Sequence, residues 1–422
     1  MKKINFIDLF AGCGGLSEGF LKTGHYNGLA HVEWEKPMVD TLRNRLHQNW
    51  NHTERESVQR VIRFDIQKTD ELFSGNWSDE TKAIYQKDND KEIVEHGMDS
   101  VIGDSDVDVI IGGPPCQAYS IAGRVRDEHG MKNDYRNYLF ESYLKVVEKY
   151  KPKLFVFENV PGILSAQPGD RPIIEIIQES FNNAGYYVLS DLRKAIIDFT
   201  DYGVPQNRKR IIIVGLRKEY FGKERCVEMA EKFYSVYLPK YKVERKKTVK
   251  EAIGDLPKLY PLGHDEKFNG KRISHSLPQP EVPNHVARWQ SDRDIDIFRL
   301  LTEDIETGRN QYTSIEALKA LYTEKTGKTS NVHKYHVIRW DEPSNLIPAH
   351  LYKDGLRHIH PDSKQCRTLT VREAARLQTF DDDYIFDGSN VETYKMIGNA
   401  VPPLFAKELA NAVADLLKDY GK

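Results

Sequence analysis

Ile4-Asn5-Phe6-Ile7-Asp8-Leu9-Phe10-Ala11-Gly12-Cys13-Gly14-Gly15 opens as a largely apolar run and ends in a glycine-rich turn. Residues 4–10 predict a strand, and the pattern over 16–23 predicts a helix directly after the turn. Strand, glycine turn and helix in that order make the opening unit of a doubly wound α/β sheet, where nucleotide-type cofactors sit on the turn. The GxGxxG fingerprint is incomplete, because Ser17 stands where the third glycine would fall. A dinucleotide pyrophosphate calls for the full set; an adenosyl group without phosphate does not. Glu33, 21 residues after Gly12, is placed where a carboxylate can hold ribose hydroxyls.

Outward from this unit the alternation continues. Strands are predicted over 29–34, 61–66, 107–111, 154–160 and 210–216. Helices are predicted over 37–47, with Pro37 at the start, and over 138–150 and 172–184. Apolar strands separated by helices imply a mostly parallel sheet covered on both faces. Residues 67–106 are long and polar for one crossover and predict a helical surface insertion. From about residue 256 to 344 the texture changes to Pro, His, Asn, Tyr and charge with little periodicity, which predicts a separate, smaller, loop-rich domain. Thr370, with Glu373 three residues on, predicts a capping box opening a helix. A final amphipathic helix is expected over 402–417, and this C-terminal strip is expected to pack back on the first domain.

A length of 422 residues fits two domains. With 39% apolar and 29% charged residues the composition is that of a soluble globular protein, and no apolar run is long enough to span a membrane. Lys2 and Lys3 imitate a signal n-region, but Asn5 and Asp8 interrupt the apolar stretch behind them. Cysteines 13, 116, 226 and 366 form no CxxC pair, which argues against a metal site or a disulfide framework and for a reducing compartment. The net charge of −2 is unevenly spread: residues 79–108 balance to −7 and residues 205–250 to +9. The acidic stretch reads as solvated helix surface. For the basic stretch a solvated surface and a polyanion-binding surface stand side by side.

The chemistry concentrates at strand ends. Gly112-Gly113-Pro114-Pro115-Cys116-Gln117 places a thiol just past a strand, behind two prolines that force the chain to turn. A core thiol needs no such framing; a nucleophile does. Glu158-Asn159 closes the next strand, where a partly buried carboxyl beside a cleft can donate a proton or hydrogen bond. Gln206-Asn207-Arg208-Lys209-Arg210 precedes a late strand and puts two arginines on one side of an extended chain.

With these motifs quoted, the chain resembles the DNA (cytosine-5) methyltransferases of the bacterial restriction–modification type. DLFAGCGG (8–15), GGPPCQ (112–117), RNYLF (136–140), FENV (157–160), QNRKR (206–210), RTLTVREAARLQTF (367–380) and IGNAVPP (397–403) resemble seven motifs of that family, in its order. The resemblance implies a Rossmann-like S-adenosylmethionine-dependent methyltransferase fold with a second, target-recognition domain. The catalytic and cofactor-binding domain would span 1–256 and 367–422, and the target-recognition domain 257–366. Cys116 would add to carbon 6 of a cytosine flipped out of duplex DNA. Glu158 would hydrogen-bond the ring nitrogen and amine, and Arg210 with Arg208 would orient the base and hold Glu158. Carbon 5 then attacks the methyl of S-adenosylmethionine, and proton loss and elimination follow. Phe10, Gly12, Gly14, Glu33, Trp34, Asp65, Pro114 and Asn399 fall where the family contacts the cofactor, with Trp34 stacked on adenine.

A base-flipping enzyme needs a segment that closes over its site, and residues 118–136, polar and carrying Gly123, Gly130, Arg124 and Arg126, are expected to be that segment. Within 257–366, His285, Arg288, Trp289, Asn331, His333 and Tyr335 are available to DNA, with none singled out. Trp340-Asp341-Glu342-Pro343-Ser344 resembles a scaffold element of the family. An RNA methyltransferase of the same fold, a silent DNA-binding relative and a Rossmann dehydrogenase are the competing readings. The absent Cys-Phe-Thr signature, the presence of Cys116, Glu158 and both arginines, and Ser17 with PPCQ respectively disfavour them. A monomer acting on DNA in the cytoplasm, alongside a cognate restriction endonuclease or alone, completes the expectation.

Overall fold

The computed structural model describes residues 2–87, 97–115, 139–167, 171–332, 334–353 and 355–420. They divide into two compact units. One comprises Met1–Tyr202, Arg208–Glu244 and Ala400–Lys422, the other Gly203–Asn207 and Arg245–Asn399. Among the described residues no helix is long and apolar enough to cross a membrane.

The first unit is built on an eight-stranded sheet of β1 (Ile4–Leu9), β2 (Tyr26–Glu33), β3 (Val61–Arg63), β4 (Val109–Gly112), β5 (Leu154–Asn159), β6 (Tyr186–Val188), β7 (Ile196–Asp198) and β8 (Lys209–Arg217). Its order is β3-β2-β1-β4-β5-β8-β6, with β7 also beside β8. β1 to β5 run parallel. β8 lies antiparallel to β5, β6 and β7. β4 and β5 are buried at nearly every position, because helices cover both faces and leave no solvated side to alternate toward. The chain winds from β1 outward to β3 and then returns to β4 on the other side of β1. The ends of β1 and β4 are therefore the switch point of the sheet, Leu9 pairing with Gly112.

The helix Gly15–Lys22 leaves β1 and packs on the last helix, Pro403–Tyr420. A Cβ on Gly19 would stand 2.4 Å from the Ala406 methyl, so the two helices touch backbone to backbone. The insertion after β3 is helical where described, over Thr69–Ser74, Asp79–Lys87 and Met98–Ile102. Part of the +9 balance over 205–250 is answered by acids outside the stretch: Lys240, Lys242 and Arg245 lie within 3.0 Å of Asp415, Asp201 and Glu251.

The second unit is more regular than its sequence suggests. It holds a hairpin of β9 (Pro261–Phe268) and β10 (Lys271–His275), and two helices, Asp292–Glu306 and Ile315–Thr326. Phe298, Leu301, Leu321, Tyr335 and Ile359 form its core. The capping box is present: Thr370 Oγ1 accepts the Glu373 amide at 3.2 Å, and Glu373 Oε2 accepts the Thr370 amide at 2.7 Å. Glu373 also receives a bidentate pair of 2.7 Å bonds from Arg367, both residues fully buried. Residues 367–399 belong to the second unit, where Arg372 donates to the Pro283 carbonyl at 3.0 Å; of the C-terminal strip, Ala400 onward belongs to the first. The Trp340–Ser344 segment is tied down by its backbone, its carbonyls at 340 and 342 accepting from Lys250 and Val249 and that of Ser344 from Asn207.

Candidate active site

The glycine turn is shaped by its backbone. Gly12 and Gly14 have φ of 58° and 89°, and Phe10 itself sits at 57°, a conformation that side chains with a Cβ resist. The turn is fastened to the end of β2 by Glu33. Its Oε2 accepts the Gly12 amide at 2.8 Å, and its Oε1 accepts the amides of Trp34 and Glu35 at 2.7 and 2.9 Å. Burial raises the proton affinity of Glu33, and the three amides counteract it. A carboxylate has about four acceptor sites, so one stays open to a hydroxyl. The Trp34 ring beside it is 43% exposed, while its carbonyl accepts from Arg63. Asp65, following β3, is half-buried and takes the Gln67 amide at 3.0 Å.

Beneath the turn lies a network that the sequence reading missed. Ser17 donates to Asp8 Oδ2 at 2.5 Å and stands 2.8 Å from His31 Nδ1, and all three are fully buried. Desolvation pushes the Asp8 carboxyl up to about 7 and the His31 imidazole down to about 3. Ser17, read as a defect in a glycine fingerprint, links β1, β2 and the helix between them. No local pattern marks this link, because Ser17 stands between Leu16 and Glu18 and its partners come from two strands.

Across the switch point, Gly112 and Gly113 carry β4 toward Pro114 and Pro115. A Cβ on Gly113 would stand 2.6 Å from Glu158 Oε2, so the glycine lets the carboxylate close on this stem. Asn159 Nδ2 reaches the Pro114 carbonyl at 3.4 Å. Glu158 and Arg210 pair through Nε and Oε1 at 3.0 Å, each side chain 13% exposed. Arg208 is buried and donates to the Ala400 carbonyl at 3.1 Å. Burial and the neighbouring Arg210 weaken its hold on its proton, and Glu158 opposes them.

The first unit therefore brings Phe10, Gly12, Gly14, Glu33, Trp34, Asp65, Pro114, Glu158, Arg208 and Arg210 to one end of its sheet. Asn399 is exposed and closes the helix Asn390–Asn399 in the second unit, one residue before the first resumes. Cys116, the expected closing segment 118–136 and His333 lie outside the described residues. In the second unit His285 is buried between Thr370 and the Pro257 carbonyl, Arg288 donates to the carbonyls of Leu351 and Tyr352, and Tyr335 is in the core. Trp289 and Asn331 are exposed.

A family model described as C-5 cytosine-specific DNA methylase matches residues 4–76 and 62–415. The Type II methyltransferase M.Bpa9945I of Bacillus paralicheniformis is 36% identical over 458 residues, covering 98% of this chain and 99% of that protein. M.DdeI, a Type II methyltransferase of Desulfomicrobium norvegicum, is 32% identical, covering 97% and 88%. Among solved structures, a prophage-encoded protein of E. coli described as a DNA modification methyltransferase superposes with a TM-score of 0.60 at 22% identity, over 99% and 100% of the two chains.

Proposed function

Because the chain belongs to the C-5 cytosine-specific DNA methylase family and is a DNA (cytosine-5-)-methyltransferase of the restriction–modification type, we propose that the residues gathered at the end of its sheet carry that reaction as follows. The Cys116 thiolate adds to carbon 6 of a flipped cytosine. A free thiol is only a few per cent ionised at neutral pH, so the rigid Gly113-Pro114-Pro115 stem serves to fix its approach. Glu158 hydrogen-bonds the ring nitrogen and the exocyclic amine, stabilising the charge that the addition develops. Arg210 fixes the carboxylate's orientation through its 3.0 Å pair. Arg208 adds positive potential from its buried position. Loss of the carbon 5 proton and elimination of the thiolate return the base to its aromatic form.

The cofactor is S-adenosylmethionine, which when bound supplies its sulfonium methyl group to carbon 5. The turn suits it. Glu33 keeps an acceptor site for ribose, Trp34 offers an exposed ring for adenine, and Ser17 is turned inward on Asp8, leaving no third glycine for a pyrophosphate. Phe10, Gly12, Gly14, Asp65, Pro114 and Asn399 complete the proposed set. By role, residues 1–256 and 367–422 serve catalysis and cofactor binding and 257–366 target recognition; these bounds are functional and differ from the compact units, the second of which also holds 203–207, 245–256 and 367–399. The enzyme acts as a monomer on duplex DNA in the cytoplasm, and a cognate endonuclease would share its sequence.

The observation that carries this reading is the Glu158–Arg210 pair standing beside the stem that leads to Cys116. Labelled S-adenosylmethionine incubated with duplex DNA and with tRNA tests it. Label in duplex DNA, placed at cytosine by bisulfite sequencing, supports it. Label in tRNA alone, or label on DNA undiminished in Cys116→Ala, contradicts it.

A further inference from the structure

The second unit holds an open cavity of about 420 Å³, lined by none of the residues assigned to methyl transfer. Its size falls in the range of small-molecule sites, about 300–1,000 Å³, and exceeds what one inorganic ion fills. Three stretches of chain build it: residues 250–258, Trp340 and residues 360–373. The side-chain acceptors on its wall are already engaged. Both Glu373 oxygens accept from Arg367 at 2.7 Å. Gln365 Oε1 accepts the Leu259 amide at 3.0 Å and Arg367 Nη2 at 2.7 Å. Asp362 accepts the Lys364 amide at 3.0 Å and Gln365 Nε2 at 3.1 Å, and His360 Nδ1 accepts the Asp362 amide at 3.2 Å.

The donors on the same wall are in the opposite condition. Among the described residues, the side chains of Lys250 and Lys364 and the Trp340 Nε1 have no hydrogen-bond or ion-pair partner, and Lys258 Nζ stands 3.6 Å from Asp362 Oδ2. Four cations, Lys250, Lys258, Lys364 and Arg367, line the cavity against two carboxylates, Asp362 and Glu373. Burial lowers His360 to about 3 and keeps it uncharged at neutral pH. Ile253, Leu256 and Pro257 add an apolar stretch, and the Trp340 ring is half-buried. The hydrogen-bonding capacity left open is therefore all donor, in cationic excess, beside apolar surface.

We propose that this cavity binds a nucleotide, with Lys250 and Lys364 on the phosphate oxygens and Trp340 with the apolar stretch against the base. A phosphate monoester carries about −1.5 to −2 charges at pH 7 and offers the acceptors this wall lacks. A bound cation would find no free carboxylate, and an uncharged ligand would leave both lysines unpaired. The phosphate comes with a free nucleotide or as one group of a nucleic-acid strand.

The full-length protein is titrated calorimetrically with thymidine monophosphate, thymidine and inorganic phosphate at about 0.1 M salt. This nucleotide has neither the adenine of the proposed cofactor nor the amine of the proposed target base. It should bind at one site, at least about tenfold tighter than thymidine or inorganic phosphate. Lys250→Gln/Lys364→Gln should weaken it at least about tenfold and leave the urea midpoint unchanged, because both side chains are exposed and pair with nothing. Saturating duplex DNA separates the two sources. Displacement of the nucleotide, with a duplex salt slope lower by about 2 in the double variant, assigns the site to a strand phosphate; unaltered binding beside the duplex assigns it to a free nucleotide. No binding of thymidine monophosphate, equal affinity for thymidine, or an unaltered affinity in the folded double variant would overturn the proposal.

Discussion

Glu158 and Arg210 meet at 3.0 Å across the antiparallel β5–β8 pair, Arg210 reaching diagonally from two residues before Ile212, the register partner of Glu158. The pair sits at the end of the sheet where β4 releases the stem of Cys116. Half of it would be a base-binding carboxyl and the other half the group that aims it.

Removing either half should cost turnover more than folding. Glu158→Gln keeps the shape but not the charge and should lower kcat about 10²- to 10³-fold. Arg210→Ala should produce a comparable fall, and the double variant should fall no further than the worse single one, because the two act as a unit. Single-turnover methylation at saturating DNA and cofactor checks this; additive losses would contradict it.

Gly113→Ala tests the approach of the stem to Glu158. Its new methyl would stand 2.6 Å from Glu158 Oε2 and must displace the carboxylate. The expected result is a kcat at least tenfold lower, with the melting temperature and both KM values close to wild type. An unaltered kcat would show that the carboxylate need not sit where the structure has it.

Trp34→Ala removes the exposed ring beside Glu33. Loss of one stacking platform is worth about 1–3 kcal/mol, so KM for S-adenosylmethionine should rise roughly 5- to 150-fold while duplex affinity holds. Isothermal titration with cofactor alone checks this, and an unchanged affinity would remove Trp34 from the site.

These residues were legible in different degrees. The turn at 8–15, the strand ends and the capping box at Thr370 carry signals within a few residues, and the structure has each of them. The strands β6 and β7 are three residues each, too short for periodicity to register. The helix Asp292–Glu306 was legible and passed over. Ser291 caps it, and Ile295, Phe298, Thr302 and Ile305 recur at helical spacing within a charged stretch. The diagonal contact of Glu158 with Arg210 depends on β8 entering antiparallel, a pairing that no local pattern announces. Ser17 could be seen but not understood, because its partners Asp8 and His31 come from two strands.

The buried Arg367–Glu373–His360 cluster predicts an acid-sensitive second unit. Burial alone would raise Glu373, but Arg367 and His360 hold it well below the ordinary carboxylate range; burial, with Arg367, lowers His360 to about 3. Below pH 6.5 both groups bind fewer protons folded than unfolded, so stability present at neutral pH is lost as pH falls toward 3. Glu373→Gln leaves Arg367 buried with its charge unpaired and should cost about 3–5 kcal/mol at pH 7, with a shallower acid-side decline. Urea unfolding of both proteins between pH 7 and pH 4 checks this; parallel declines would contradict it.

The covalent step on Cys116 is the centre of the account, and trapping tests it most directly. Fluorine at carbon 5 cannot leave as a proton, so a duplex carrying 5-fluorocytosine at the target should hold the enzyme after methyl transfer. With S-adenosylmethionine present, the wild type should form a denaturation-resistant complex whose protease fragments carry the nucleotide on the peptide containing Cys116, and Cys116→Ala should form none. A complex attached at another residue, or one formed equally by Cys116→Ala, would contradict the account.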